Sequence, residues 1–405
     1  APDGAEFAGE IRRWSASGRF ALPPLFDGST FAGTQVSPGH RDEIAGADAG
    51  LLFRAAGVHR YLDLGPGDFS ALRGGPVLIS EGGVGSNFPG ARPVRDAGDG
   101  RTAVAEILAS TRAPQRLSVV FDRGRSRRGL TAEVLEAILE EAGATPVAVY
   151  VGTWRDAHEA LDAGAGWIVQ IPPGPAPEPV LELVRSRRPV WTPTIAVGSD
   201  FMVLMADPEL REDPGLARSL TPEMRADYGE VRVPQARLTE ARLQNEDRLA
   251  TLLQLTEAGA ILVAGSQSGG LGTAHGWSLV RELGWWFRAG LEPWDILASG
   301  TIHGAELLGL SAGWVVGAKA DFTLYGSSPA TNPEVLGSPQ LVFSGGVAET
   351  PDAIVAGVRH ALTEEVPENP LPGGNRWSLL ILAVLGFAVL LGLRHLVKRA
   401  AANAA

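Results

Sequence analysis

Thr131-Ala-Glu-Val-Leu-Glu-Ala-Ile-Leu-Glu-Glu-Ala-Gly-Ala-Thr-Pro-Val-Ala-Val-Tyr-Val151, followed by Trp154-Arg-Asp-Ala-His-Glu-Ala-Leu-Asp-Ala-Gly164 and Trp167-Ile-Val-Gln-Ile171, decides the fold. Helical apolar periodicity gives way to a short continuous apolar run, then returns, then gives way again. Thr131 with Glu133 and Glu136 opens the first helix, a residue pattern that satisfies and charges a helix N-terminus. The same alternation extends in both directions. Val77–Ser80, Leu117–Phe121, Pro146–Val151, Trp167–Ile171, Pro189–Pro193 and Ile261–Ala264 read as buried strands bounded by Gly or Pro. Thr102–Ser110, Thr131–Ala142, Trp154–Ala163, Pro179–Arg187 and Leu238–Ala258 read as amphipathic helices. Parallel β/α units follow, and at this length the expected fold class is α/β, a closed (β/α)8 barrel. No internal repeat of solenoid length is visible.

The chain has 405 residues, 45% of them hydrophobic, and a formal net charge of −11. It is long enough for a large core, and its acidity argues against a nucleic-acid surface. Arg123-Gly-Arg-Ser-Arg-Arg128 reads as a solvated loop. There is no cysteine, so disulfides and thiolate metal sites are absent.

Trp377-Ser-Leu-Leu-Ile-Leu-Ala-Val-Leu-Gly-Phe-Ala-Val-Leu-Leu-Gly-Leu393 carries no charge and lacks a polar helical face. Its 17 residues span about 26 Å at helical rise, enough for a short bilayer crossing. Trp377 at one end and Arg394, Lys398 and Arg399 at the other suit the two membrane interfaces. A single transmembrane helix at 377–393 is therefore expected. The basic tail 394–405 would be cytoplasmic and the large domain periplasmic or extracellular. Ala1 fits either removal of a signal peptide or excision of a methionine.

Ser299-Gly-Thr-Ile-His-Gly-Ala-Glu-Leu-Leu-Gly-Leu310, with Gly313, Gly317-Ala-Lys-Ala-Asp-Phe-Thr-Leu-Tyr325 and Pro329, resembles the C-terminal signature of metal-dependent amidohydrolases of the imidazolonepropionase and prolidase type. The resemblance runs back through His275-Gly-Trp-Ser-Leu-Val-Arg-Glu-Leu283, Ala289-Gly-Leu-Glu-Pro293, Thr192-Pro-Thr194 and Ala160-Leu-Asp-Ala-Gly164. It continues through Gly57-Val-His-Arg-Tyr-Leu-Asp-Leu-Gly65 to Gly18-Arg-Phe-Ala-Leu-Pro-Pro-Leu-Phe-Asp27, covering about 11–350. It implies a barrel at 23–310 and a small, truncated β-sandwich formed by 1–22 and 311–360. A linker at 361–376 would lead to the membrane span.

The departures from the pattern concern chemistry. Where the family carries its His-x-His, this chain reads Asp27-Gly-Ser29-Thr-Phe31. The strand that offers the bridging lysine reads Leu117-Ser-Val-Val-Phe-Asp122. Two strand-end histidines correspond to Tyr150 and Gln170, and the proton-shuttling aspartate to Gln267. In the family, divalent ions activate water and polarise the carbonyl, held by imidazole and carboxylate lone pairs. Amide, phenol and phenyl groups do not replace those donors at neutral pH. The seven histidines include no His-x-His or His-x-x-x-His pair, and His59, His158 and His303 read as structural. The expectation is a pseudoenzyme with no cofactor, its vestigial pocket formed by Asp27, Ser29, Phe31, Tyr150, Gln170 and Gln267.

Other chemistries fit less well. Ser266 and Ser268 near His275 lack a nucleophile elbow and an evident orienting carboxylate. Glu81-Gly-Gly-Val-Gly85 and Gly269-Gly-Leu-Gly272 lack the Lys-Ser/Thr ending of a phosphate loop. Arg281 and Glu282 belong to the family's helix start and read as structural.

Trp285, Trp286, Trp294 and Trp314 cluster late in the chain and form a candidate partner surface. The functional expectation is a membrane-anchored, non-catalytic scaffold, an accessory subunit of an integral membrane protein complex; photosynthetic and respiratory assemblies supply the analogy. Two alternatives stand beside it. One is a metal-independent or unusual hydrolase using Asp27, Tyr150 and Gln267; the other is a small-ligand module using the vacated pocket.

Overall fold

A computed structural model describes residues 16–63, 74–80, 92–109, 116–123, 129–310, 313–314 and 318–364. Among the described residues eight barrel strands run parallel in chain order, β1 (Leu25–Thr30), β2 (Val58–Asp63), β3 (Gly74–Ser80), β4 (Arg116–Phe121), β5 (Val147–Val151), β6 (Trp167–Val169), β7 (Val190–Thr192) and β8 (Ile261–Leu262), and a short ninth strand, Arg92–Val94, pairs in parallel with β3 at the edge of its sheet. Ladders join β3 through β8 in sequence, with Leu117–Phe121 aligned on Val147–Val151 and Trp167–Val169 on Ala148–Tyr150. β1 pairs with β2. It also meets the continuation of β8, where Gly28 N donates to Ala264 O at 2.8 Å and Phe31 N to Ser268 O at 2.7 Å. Among the described residues no ladder joins β2 to β3.

Continuous apolar sequence follows from this architecture, because each strand is covered on both faces. Phe26, Leu62, Ala148, Trp167, Val169 and Val263 fill the interior, with Leu307, Leu308 and Leu310 packed against them. On β4 the alternate residues Leu117, Val119 and Phe121 face the outer core with the helices. That leaves Arg116, Ser118 and Val120 on the interior face.

The helices α1 (Ala97–Leu108), α2 (Ala132–Ala142), α3 (Trp154–Asp162), α4 (Glu178–Arg187), α5 (Gln235–Glu257) and α6 (Trp277–Ala289) form the outer layer. Thr131 caps α2 by accepting from Val134 N, and Gly143 ends it at φ +57°. Thr153 caps α3, accepting from Asp156 N at 3.1 Å while its hydroxyl donates to Asp156 Oδ2 at 2.6 Å. α1 begins five residues before the expected Thr102, because Asp96 caps it through Asp99 N at 2.9 Å. Between β7 and α5 the chain makes an excursion through Ala196–Ala206, Pro208–Arg211, Pro214–Ser219 and Pro222–Glu230.

Where a single truncated β-sandwich is expected, the structure has two separate small antiparallel sheets. One orders Phe20–Leu22, Phe322–Tyr325, Leu341–Ser344 and Val347–Glu349, bringing the two flanks of the barrel together as expected, but in one layer. The other combines Thr34–Val36 and His40–Glu43 with Leu362–Glu364. Leu362–Glu364, read from sequence as part of the linker, is thus a strand. His360 Nδ1 bonds Asp42 Oδ2, and Ala361 N donates to Asp42 Oδ1 at 2.7 Å, fixing the approach to that strand. The candidate span 377–393, with Trp377, Arg394, Lys398 and Arg399, lies outside the described residues. Among the described residues no helix is long and apolar enough to cross a membrane.

Gly304, in the Thr301-Ile-His-Gly304 signature, shows how tightly this helix seats on the barrel. A Cβ there would meet Phe26 Cδ1 at 2.1 Å. Phe26 is fully buried and has nowhere to move. Gly304→Ala should therefore destabilise the chain by about 1–3 kcal/mol through overpacking, read as a fall in urea midpoint without loss of slope.

Candidate functional site at the barrel mouth

β1 ends in Asp27-Gly-Ser-Thr30, and its polar side chains turn towards the end of β8. Asp27 is fully buried. Its Oδ1 accepts from Ser266 N at 2.9 Å and Ser29 N at 3.2 Å. Its Oδ2 accepts from Ser266 Oγ, which in turn bonds Ser268 Oγ and accepts from Ser268 N at 3.0 Å. The sequence reading saw no orienting carboxylate for these serines; Asp27 is one, 239 residues away in the chain. Burial pushes Asp27 up to about 7, against the lowering effect of the Ser266, Ser29 and Ser268 hydrogen bonds. Both serines are fully buried, which makes the trio a clamp between β1 and β8 rather than an accessible nucleophile. His275 takes no part. Its Nδ1 bonds Gln35 Oε1 at 2.8 Å and its Nε2 bonds Ala32 O at 3.1 Å, and burial lowers its pKa to about 4.

Ser29 Oγ bonds Tyr150 Oη at 2.9 Å, bringing two of the pocket residues expected from the sequence into direct contact. Beside them stands a residue the sequence reading did not single out. Arg116 is fully buried, its Nη1 donating to Gly28 O at 3.2 Å and its Nη2 to Asp63 O at 3.4 Å, with its charge acting on Tyr150. It lies 5.5 Å over the Trp167 ring, whose Nε1 donates to Thr192 Oγ1 at 2.9 Å. Burial raises the Tyr150 pKa, and the Arg116 charge and the Ser29 and Arg116 hydrogen bonds pull against that. An arginine opening an apolar strand was the one available signal, and in a sequence it looks like an ordinary strand boundary.

Gln170 and Gln267 stand at the ends of β6 and β8, both half-buried and both with positive φ, +82° and +50°. Gln170 N donates to Thr192 O at 2.8 Å; Gln267 N donates to Ser29 O at 2.6 Å. Half-buried Phe31 follows β1. All six expected pocket residues thus lie at barrel strand ends, and Asp27, Ser29, Tyr150 and Gln267 are linked by direct hydrogen bonds or adjacency.

These residues do not fit a divalent metal centre. Asp27 is the sole anionic donor among the six, and both its oxygens are occupied by Ser29 and Ser266. The Arg116 guanidinium already donates to the Gly28 carbonyl and its charge reaches Tyr150, so a second cation would meet repulsion in a low-dielectric interior. Among the described residues no group of three His, Asp or Glu side chains converges elsewhere.

The tryptophans separate. Trp286 is fully buried, its Nε1 donating to Glu282 Oε1 at 2.9 Å, which removes it from any surface. Trp285 is half-buried, hydrogen-bonded to Asp200 at 3.3 Å and overlain by Arg281 and Arg288. Trp294 and Trp314 are 72% and 60% exposed. Arg281 pairs with buried Asp200 at 2.8 Å, and Glu282 accepts from Ile195 N and Ala196 N at 3.0 and 2.6 Å; both are structural, as expected.

Solved structures of low identity share this fold. A prolidase from Bifidobacterium longum is 18% identical, with a TM-score of 0.59 and coverage of 92% of this chain and 86% of that one. A Xaa-Pro dipeptidase with bound methionine is 15% identical, with a TM-score of 0.58 and coverage of 82% and 87%. The ochratoxinase of A. niger is 18% identical, with a TM-score of 0.58 and coverage of 81% and 82%. The chain has the amidohydrolase fold. No family model and no curated protein matches its sequence.

The Asp27 environment has a pH consequence. Its folded pKa, about 7, exceeds the ordinary aspartate value of 3.8, so the folded state holds a proton that the unfolded state releases. This contribution to stability is present at acid pH and lost as pH rises through 7. His59 and His275, both lowered to about 4 by burial, act in the opposite sense, so the wild-type profile alone does not isolate it. The difference between wild type and Asp27→Asn does. The penalty of Asp27→Asn, from denaturant titrations, should be larger at pH 5 than at pH 7.5 by on the order of 2 kcal/mol; an equal penalty at both would show that Asp27 is ionised throughout.

Proposed function

We propose that this chain is a non-catalytic amidohydrolase-fold scaffold, tethered by 377–393 as an accessory subunit of an integral membrane complex, with the barrel on the periplasmic or extracellular side. The observation that carries the non-catalytic part is the Arg116–Tyr150–Ser29 cluster. In a metal-dependent hydrolase of this fold the reaction needs a cation that is free to bind water and a carbonyl oxygen. Here the cation is a guanidinium whose hydrogen bonds end on the protein itself. A guanidinium has no vacant orbital for water, and so it supplies charge without Lewis acidity. The tether and the complex rest on the 377–393 sequence; the photosynthetic or respiratory setting rests on analogy alone.

A second reading has its own support. Solved structures of this fold include a Xaa-Pro dipeptidase, a prolidase and an ochratoxinase, and they favour a hydrolase more directly than they favour a scaffold. In that reading Tyr150 and Gln267 would orient a carbonyl and Asp27 would serve as base. Buried Asp27 has both oxygens engaged, which is why the scaffold reading is preferred.

Elemental analysis of the purified full chain, together with hydrolysis assays on Xaa-Pro dipeptides, separates the two. The scaffold reading expects substoichiometric metal and no turnover above buffer. One or two zinc ions per chain, or turnover abolished by Gln267→Ala, would replace it with the hydrolase.

The tether has a separate test. Protease added outside intact spheroplasts should remove the barrel and leave a small membrane-bound fragment, and deletion of 377–405 should release the barrel. Complete protection of the barrel would place it in the cytoplasm.

A further inference from the structure

Between the buried Ile354 and Glu364 no residue of the chain is buried, yet this stretch closes on the body of the protein as the outer strand of the three-stranded sheet. Backbone supplies part of the hold. Leu362, Thr363 and Glu364 register on Asp42, Arg41 and His40, and Glu43 N donates to Ala361 O at 3.4 Å. A three-residue edge strand with no buried side chain has little apolar area to stabilise it. One carboxylate supplies the rest. Asp42 is fully buried, and the arriving segment engages both of its oxygens, Oδ1 through Ala361 N at 2.7 Å and Oδ2 through His360 Nδ1.

The two partners differ in their access to water. The His360 side chain is 28% exposed and can exchange protons with solvent, whereas Asp42 has no exposure. Charges of the opposite sign face His360 from three elements: Asp42 on the adjacent strand, Asp48 on the helix Gly46–Ala55 and Glu223 on the helix Pro222–Glu230. Its neighbour Arg359 is directed to Asp48, at 3.7 Å. The His275 imidazole also feels His360, but burial lowers its pKa to about 4 and leaves it neutral at ordinary pH. The Asp42 hydrogen bond raises the His360 pKa against the lowering effect of desolvation, and the carboxylate charges add to that rise. A histidine held above its ordinary value contributes stability at acid pH, and the contribution is lost as pH rises through the raised value.

We propose that His360 and Asp42 form a pH-sensitive latch on the segment that leads away from the barrel, tight while the imidazole is charged and loosened when it is neutral. A neutral imidazole still donates from Nδ1, so alkaline pH removes the charge from the bond and not the bond itself. The latch stands on the Asp42 geometry alone. Its use, to fasten the approach to 377–393 at one ambient pH and slacken it at another, rests on the tether reading. A second pair must be told apart from it: His40 Nδ1 bonds Asp227 Oδ2 at 2.8 Å and holds the middle strand of the same sheet to the helix Pro222–Glu230.

The test is amide hydrogen exchange on the purified full chain across the pH range 5.5 to 8.5, with rates corrected for the intrinsic pH dependence of exchange and the β4 amides 117–121 as internal reference. Protection at 361–364 should fall by roughly tenfold more than at 117–121 as pH rises, the worth of charge assistance to one hydrogen bond. His360→Gln, whose amide can still donate to Asp42, should show the loosened level at every pH. His40→Gln should keep the step. Should His360→Gln fail to fold, the His360 imidazole is titrated by NMR in the wild type, and its midpoint should lie above that of an ordinary histidine and coincide with the step in exchange. Protection that is flat with pH, a step that survives His360→Gln or disappears in His40→Gln, or a His360 midpoint at or below the ordinary value overturns the latch. The spheroplast protease assay reads the tether separately, so a barrel found in the cytoplasm refutes the tether and its use of the latch, while flat protection refutes the latch and leaves the tether.

Discussion

A guanidinium enclosed by a β/α barrel sets conditions for everything around it. A buried guanidinium needs acceptors or polarisable surface around it, and the surrounding strands must offer Arg116 both. They offer the carbonyls of Gly28 and Asp63, the Tyr150 hydroxyl and the face of Trp167. Each of these ties a different strand to β4: β1, β2, β5 and β6. The charge thus acts as an internal tie across half the barrel. It also explains why aromatic and hydroxyl side chains are compatible with this interior while a further cation is not.

The backbone at the mouth is strained. Gln170, Thr194 and Gln267 adopt φ values of +82°, +52° and +50°, which cost side-chain-bearing residues of order 1–3 kcal/mol each. Hydrogen bonds hold two of these in place, from Gln170 N to Thr192 O and from Gln267 N to Ser29 O. Gly269 completes the turn after β8 at φ +96°, and a Cβ there would meet Phe31 O at 2.1 Å. Strained strand ends of this kind serve to aim side chains. Here they carry two amides and a hydroxyl, which accept and donate hydrogen bonds but bring no charge.

Strands β3 to β8 were legible because a strand buried on both faces excludes charge and is apolar nearly throughout, as Val77–Ser80, Leu117–Phe121 and Pro146–Val151 are. Helix ends were legible where a side chain caps them, as Thr131 and Thr153 do. Ala196–Ala206 was missed for a physical reason: Ala196, Val197, Gly198, Ser199 and Asp200 are all buried, so the helix has no polar stripe to reveal its period. Of the site, the positions of Ser29, Tyr150 and Gln267 followed from the family resemblance, but what connects them did not. The Asp27–Ser266 clamp and the Arg116–Gly28 bond join residues 239 and 88 apart. Nothing local in either segment encodes the pairing. Leu362–Glu364 was similarly hidden, since its partner strand His40–Glu43 is more than 300 residues earlier and charged.

If the interior performs no chemistry, selection must act on surfaces, and the four late tryptophans show how unevenly a sequence cluster maps onto one. Trp286 is core, and Trp285 is half-covered and engaged by Arg281, Arg288 and Asp200. Trp294 opens a short helix with its ring exposed, and Trp314 lies 5.2 Å from Phe322, which stacks on Phe343 at 4.1 Å in the four-stranded sheet. An exposed indole backed by stacked aromatics has little conformational freedom left to lose on association, which is the property that makes such residues anchors. The scaffold reading therefore places its energetic weight on Trp314 and Trp294 and removes it from Trp286, whose loss would act through folding instead.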